Sequence, residues 1–339
     1  MKRLLNIKLQ LFAGNTNVTT DSELSVEMKT YYSDYLIDTA QPKLVHDQFG
    51  QKHPIPKNGG KIIEFRKYNP FPKMLTPLTE GVTPNGQKLE VTNLTAEVKQ
   101  YGGFVELSDI LMMTAIDNNL VQATKLLGNQ AGTTLDTITR EVLNGGTNVQ
   151  YADGVKTARN QLTGGAADGN DYLTVDAIRK AVRTLKNANA EKIGDSFVAI
   201  IHPDISYDLM SDPAWKDVKD YDPKDWYEGE IGKIAGVRFV ETTEAKIFAG
   251  EGADGRAVYS TLVLADNAYG VTEIEGGGLQ HIVKQLGSAG TADPLNQRAT
   301  VGWKATKVAE RLVEAYMVRI ETCSTGFMDE RRRLARFNC

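Results

Sequence analysis

Apolar and polar positions change their period several times along the chain, and each change marks an element. KIIEFRKY (61–68) sets Ile63 and Phe65 against Glu64 and Arg66, the alternation of a strand. KLEVTNLTAEVKQY (88–101) alternates too, but its apolar phase moves from Leu89 and Val91 to Leu94, Ala96 and Val98, which predicts a bulge or a sharp twist. Between them lies TPLTEGVTPNGQ. Pro70, Pro72, Pro77 and Pro84 remove ladder donors and rule out a central strand, while Gly81 and Gly86 suit turns. The pattern is a long hairpin-like arm. A hairpin alone is marginal in water, so something beyond the local sequence must hold it. Gly102 and Gly103 predict a further bend before Phe104–Leu107.

From Ser108 the period becomes helical. Ser108 or Asp109 can cap a first piece through Ile116, and Asp117-Asn118-Asn119 interrupts it. A longer helix follows to about Val142, with Leu120, Leu127, Ala131, Leu135, Ile138 and Val142 in one apolar stripe. At 1.5 Å per residue it would span ~35 Å. Asn144-Gly145-Gly146 ends it. TVDAIRKAVRTLKNANA reads as a helix capped by Thr174, with Val175, Ile178, Val182 and Leu185 inward. SFVAII is a buried strand, and HPD turns the chain into ISYDLMSD. IGKIAG predicts a turn of helix and a Gly236 hinge before the strand VRFVET. YSTLVLADNAYGVTEI gives further strand, and GWKATKV and LVEAYMVRIE two long alternating ones. At the other end, ELSVEMKTYYSDYLIDTA carries Leu24, Met28, Tyr32 and Leu36 on one helical face, and HPIPKNGG stops it.

Composition narrows the classes. The 339 residues suffice for two or more cored domains, and 41% hydrophobic with 24% charged residues is ordinary for a globular chain. A net charge of −4 excludes a protein that grips nucleic acid over a broad basic face. Two cysteines, Cys323 and Cys339, do not make a disulfide scaffold. The start, MKRLLNIKLQLFAG, is broken by Asn6, Lys8 and Gln10, too polar for a secretory core, and no run approaches the ~20 apolar residues of a membrane span. The expectation is a soluble intracellular product.

Catalytic constellations are scarce. His46, His53, His202 and His281 share no metal-ligand spacing. His202-Pro203-Asp204 follows a strand, where an imidazole beside a carboxylate could act as a general base. Pro203 fixing a turn and Asp204 capping the next helix explain the same residues without catalysis. The acidic loop with Asp217, Asp220, Asp222 and Asp225 fails as a calcium loop, since its sixth position is Asp225 and its twelfth Ile231. EGGGLQ lacks the lysine of a phosphate loop. No cofactor is expected. Near the C-terminus, Arg331, Arg332, Arg333 and Arg336 form the one basic cluster.

In order, these pieces are an arm, an extended hairpin, a spine helix, an α/β region and returning strands. Together with TPLTEGVTPNGQKL, KQYGGFVELSD, GEIGKIAGVRFVET and DPLNQRATVGWK, they resemble the major capsid proteins of tailed bacteriophages, in their N-four-like branch. The resemblance spans about residues 25–322 and implies an α+β chain of the Hong Kong 97-type fold. It implies an N-terminal arm (1–58), an extended loop (59–106) and a peripheral domain with the spine helix (107–165). An axial domain (166–289), peripheral return strands (290–325) and a basic tail (326–339) complete the layout. By the same resemblance the protein assembles as hexamers and pentamers into an icosahedral head around double-stranded DNA, which it touches weakly and without specificity. Portal and scaffold proteins would be partners, with no membrane involved and assembly in the bacterial host cytoplasm. The arm is too short to hold a fused scaffold, and no crosslink is expected at Lys73 or Lys88. On the loop, Arg66 and Glu80 are candidates for ion pairs between subunits, and Leu75, Leu78 and Val82 for apolar contacts. The alternatives are an encapsulin-type compartment shell and an α/β enzyme using His202 and Asp204.

Overall fold

The computed structural model describes residues 16–17, 45–56, 60–68, 71–78, 80–81, 83, 85–114, 119–152, 154–164, 171–219, 232–272, 279–288 and 293–325. The expected N-terminal helix, most of the acidic loop and the basic tail lie outside them. In chain order the strands and helices are β1 (Thr16–Asn17), β2 (Gln51–Lys52), β3 (Ile62–Tyr68), β4 (Val91–Glu97), β5 (Lys99–Ser108), α1 (Asp109–Thr114) and α2 (Asn119–Asn144). Then come β6 (Val149–Tyr151), α3 (Val175–Asn187), β7 (Phe197–Ile201), α4 (Pro203–Ser211), α5 (Pro213–Lys219), β8 (Lys233–Ile234), β9 (Val237–Glu241) and β10 (Ile247–Phe248). Last are β11 (Val258–Leu264), β12 (Tyr269–Thr272), β13 (Gln280–Lys284), β14 (Arg298–Arg311) and β15 (Met317–Thr322). The chain divides into two compact units.

The larger unit (44–99, 136–275 and 308–339) is built on a mixed sheet in the order β6-β15-β11-β7-β9-β8, with β10 beside β11. Helices cover one face: α3 buries Val175, Ile178, Val182 and Leu185 against Phe197, Ala199 and Ile201 of β7. Ile200 points the other way, into a cluster with Val45, Leu143, Leu264 and Tyr269. Both faces of β7 are therefore dry, which is why it reads as a continuous apolar run. Thr174 accepts a hydrogen bond from the Ala177 amide and caps α3 as expected.

Residues 232–236, expected as a turn of helix, are not helical. Lys233 and Ile234 pair antiparallel with Arg238 and Val237 across a two-residue turn. Ala235 (φ 52°) and Gly236 (φ 81°) both adopt the left-handed region that a twisted hairpin turn demands. Sequence periodicity cannot separate a two-residue strand from a helical turn.

In the smaller unit (1–43, 100–135 and 276–307), β5 pairs with β14 and carries β1 in parallel, while β13 runs antiparallel to β14 from Gln280↔Lys304 to Lys284↔Thr300. The expected bend at Gly102 and Gly103 is absent, and β5 passes through both without a break. Gly102 is a glycine because of crowding, since a Cβ there would lie 2.7 Å from the Trp303 carbonyl oxygen, whereas one on Gly103 would meet the movable end of the Gln130 side chain at 2.9 Å. Ser108 Oγ accepts from the Leu111 amide to start α1. Leu127, Ala131 and Leu135 of α2 are buried.

Candidate functional site

The hairpin of β3 and β4 forms a separate two-stranded sheet in the larger unit. Its register is unbroken from Ile62↔Glu97 to Tyr68↔Val91, so the phase change in the sequence is not a bulge. Val91 lies on the open face, whereas Leu94 is half-buried and Ala96 and Val98 are buried at the base. The base is tied down. Phe65 packs over Gly270, where a Cβ would come within 2.9 Å of its ring, and His53 meets the same ring edge-on at 6.0 Å. Lys61 and Glu97 pair at 2.5 Å, and the Val98 amide donates to the Lys61 carbonyl.

Beyond Tyr68 nothing comparable holds the chain among the described residues. Residues 71–78 and 85–90 form no strand, and Phe71, Met74, Leu75, Leu78 and Leu89 are exposed, Leu75 at 83% and Leu78 at 77%. Such a row of bare apolar side chains on one segment is the mark of a surface awaiting a partner. Of the loop residues singled out in the sequence, Leu75, Leu78, Glu80, Pro72, Pro77, Gly81 and Gly86 are exposed on this segment, and Gly81 has a positive φ of 77°. Pro70, Val82 and Pro84 lie outside the described residues. Arg66 is exposed and pairs with Glu64 on its own strand at 3.3 Å, and Asn93 donates to the same carboxylate. In the stripe of α2, Leu127 and Leu135 are buried and Ile138 and Val142 half-buried, and the Leu120 side chain is outside the described set. Sequence reading passed over Phe71 and Met74 at the tip, because their spacing among prolines follows neither period. Leu89, expected in the strand with Val91, lies before β4 begins and is exposed.

The His202–Asp204 pair is explained by structure. His202, not Asp204, is the N-cap of α4: its Nδ1 accepts from the Asp204 amide at 3.2 Å, with Pro203 in the first turn. Burial lowers the His202 pKa against the pull of Asp204 and Glu241, so the imidazole is held neutral and its 3.3 Å approach to the Asp204 carboxylate is not an ion pair. Asp204 instead accepts from the Tyr259 hydroxyl at 2.9 Å. Imidazole and carboxylate are each engaged in fastening α4 to β11. Among the described residues there is no cluster of three or more His, Cys, Asp or Glu fit for a metal, and no helix long and apolar enough to cross a membrane.

Solved structures of similar fold include phage capsids. The capsid of the cyanophage P-SCSP1u matches with a TM-score of 0.67 at 12% identity, covering 87% of this chain and 93% of that one. The capsid of Ralstonia phage GP4 matches at 0.62 and 14% identity (87% and 95% covered), and that of cyanophage Pam1 at 0.63 and 15% (87% and 95%). The fold is thus of the Hong Kong 97 type. In sequence, the profile of the phage capsid protein family matches residues 92–313, and the chain belongs to that family. It is a major capsid protein, a structural component of a phage virion. No curated relative matches the sequence.

Proposed function

We propose that copies of this chain assemble as hexamers and pentamers into the icosahedral head that encloses the double-stranded DNA of a tailed phage. The observation that carries this reading is the hairpin: firmly anchored at its base, bare and apolar at its tip. The core missing from residues 71–90 is supplied by the neighbouring subunit across which the loop lies. There Leu75, Leu78 and Val82 make apolar contacts, and Arg66 and Glu80 meet opposite charges.

In this scheme residues 1–58 are an arm, 59–106 the extended loop, and 107–165 with 290–325 the peripheral domain. Residues 166–289 form the axial domain around the symmetry axes, and 326–339 a basic tail. Portal and scaffold proteins guide closure in the host cytoplasm, and contact with DNA is weak and sequence-independent. The subunit works by shape and repetition, without catalysis.

Electron microscopy of the purified full chain tests the reading: uniform icosahedral particles are expected, and a persistent monomer under all assembly conditions would sink it. Deleting residues 70–87 should leave a folded subunit that assembles poorly, and normal shells from that variant would remove the loop's role.

A further inference from the structure

On the outer face of α3, Arg179, Arg183 and Lys186 stand at intervals of four and three residues, all exposed. They line an open groove of about 450 Å³ together with Val182, Asn187 and Ala235 of the β8–β9 turn. On the same helix Lys180 is answered by Asp176 at 2.9 Å. The other three cations have no ion pair and no side-chain hydrogen bond among the described residues. At 1.5 Å per residue they make a positive stripe roughly 10 Å long. This is a marked local surplus in a chain of net charge −4.

We propose that this stripe is a contact between copies, and that its occupant is the acid-rich segment 217–230 of a second copy. The inference rests on the ring assembly proposed above. A closed ring of identical subunits has heterologous interfaces, in which one patch of each copy meets a different patch of the next. Unanswered charge on one patch then calls for the opposite sign on the other. The segment 217–230 supplies it: Asp217, Asp220, Asp222, Asp225, Glu228 and Glu230 stand against only Lys219 and Lys224. Both stretches belong to the axial domain (166–289) of the proposed layout. Complementary charge of this kind sets register and encounter rate, and it weakens with salt over a screening length of about 8 Å at physiological ionic strength.

The test uses the full chain carrying R179E/R183E/K186E. Because all three side chains are exposed and have no ion pair among the described residues, its thermal unfolding should match wild type. Shell formation, followed by light scattering and electron microscopy, should need about tenfold more protein or fail, as expected for the loss of several exposed ion pairs. Adding D217K/D220K/D222K/D225K should restore it, and wild-type assembly should weaken as salt rises. The proposal is overturned if the triple variant assembles like wild type, or if the second set of reversals restores nothing. It is also overturned if shells form normally but hold less DNA, which would make the stripe a phosphate-backbone contact. Wild-type protein that never forms shells would instead remove the assembly reading itself.

Discussion

His46 and Asp136 meet in a fully buried contact, Nδ1 to Oδ2 2.6 Å, which fastens the segment before β2 to α2. The other oxygen of Asp136 accepts the amides of Val45 and His46 at 3.0 and 2.8 Å. Thr139 donates to Asp47 one turn further on, and the Tyr269 hydroxyl donates to the His46 carbonyl. Removing the imidazole leaves a buried carboxylate short of a hydrogen-bond partner. His46→Leu should cost about 3–5 kcal/mol in denaturant unfolding, and His46→Asn, which keeps a donor, clearly less. An unchanged midpoint for His46→Leu would show the pair to be incidental.

Acid should release this fastening. Burial alone would raise the Asp136 carboxyl, but the His46 hydrogen bond and charge and two backbone amides outweigh it and hold the pKa below the usual value. Its contribution is complete above the unfolded-state pKa of about 3.9 and disappears as pH falls through the depressed folded value. Unfolding midpoints measured from pH 6 down to about pH 2 should therefore fall more steeply in wild type than in Asp136→Asn. Parallel curves would refute the assignment.

Glu321 is fully buried between two guanidinium groups. Arg159 holds it with Nε and Nη2 at 2.6 and 2.8 Å, and Arg319 Nε approaches at 2.8 Å without hydrogen-bond alignment. Glu321→Ala should destabilise by about 3–5 kcal/mol, since two partly buried cations lose their shared anion. Glu321→Gln, keeping the shape, should cost less. Urea titration separates the two.

Gly102 and Gly86 look alike in sequence and should behave oppositely. A methyl on Gly102 meets the Trp303 carbonyl at 2.7 Å, whereas one on Gly86 meets nothing within 4 Å. Gly102→Ala should lose about 1–3 kcal/mol by overpacking, and Gly86→Ala should be near neutral. Equal melting temperatures for both would contradict the close approach of β5 to β14.

Leu75→Ser with Leu78→Ser should leave the melting temperature of the free subunit unchanged, because both side chains are already in water. Sedimentation of assembly mixtures should show fewer and slower-forming shells. A loss of subunit stability instead would mean that the tip packs on its own chain.

Elements with a clean period were legible beforehand. The apolar stripe of α2, the Thr174 cap of α3 and the dry strand β7 each follow from spacing and residue type. Short-range choices were not: Lys233-Ile234 is too brief to show a period, and His202 rather than Asp204 caps α4 because the imidazole is turned inward and kept neutral. The glycines at 102 and 103 imply local freedom in sequence, yet what crowds Gly102 is a carbonyl about two hundred residues away. Prolines at the hairpin tip showed that no central strand forms there. They could not show that Phe71, Met74 and Leu89 are also bare, because exposure depends on what lies opposite.

The bare tip of the hairpin has a genetic consequence under the proposed assembly. The tip and the bed that receives it are encoded by one gene, so a substitution at Leu75 or Leu78 alters every contact in the shell at once. No wild-type copy remains to buffer it. Compensation must arise at a distant codon of the same gene, at whatever residues form the receiving surface. Selecting for regained viability after a tip mutation would therefore map that surface directly, without a structure of the assembled particle.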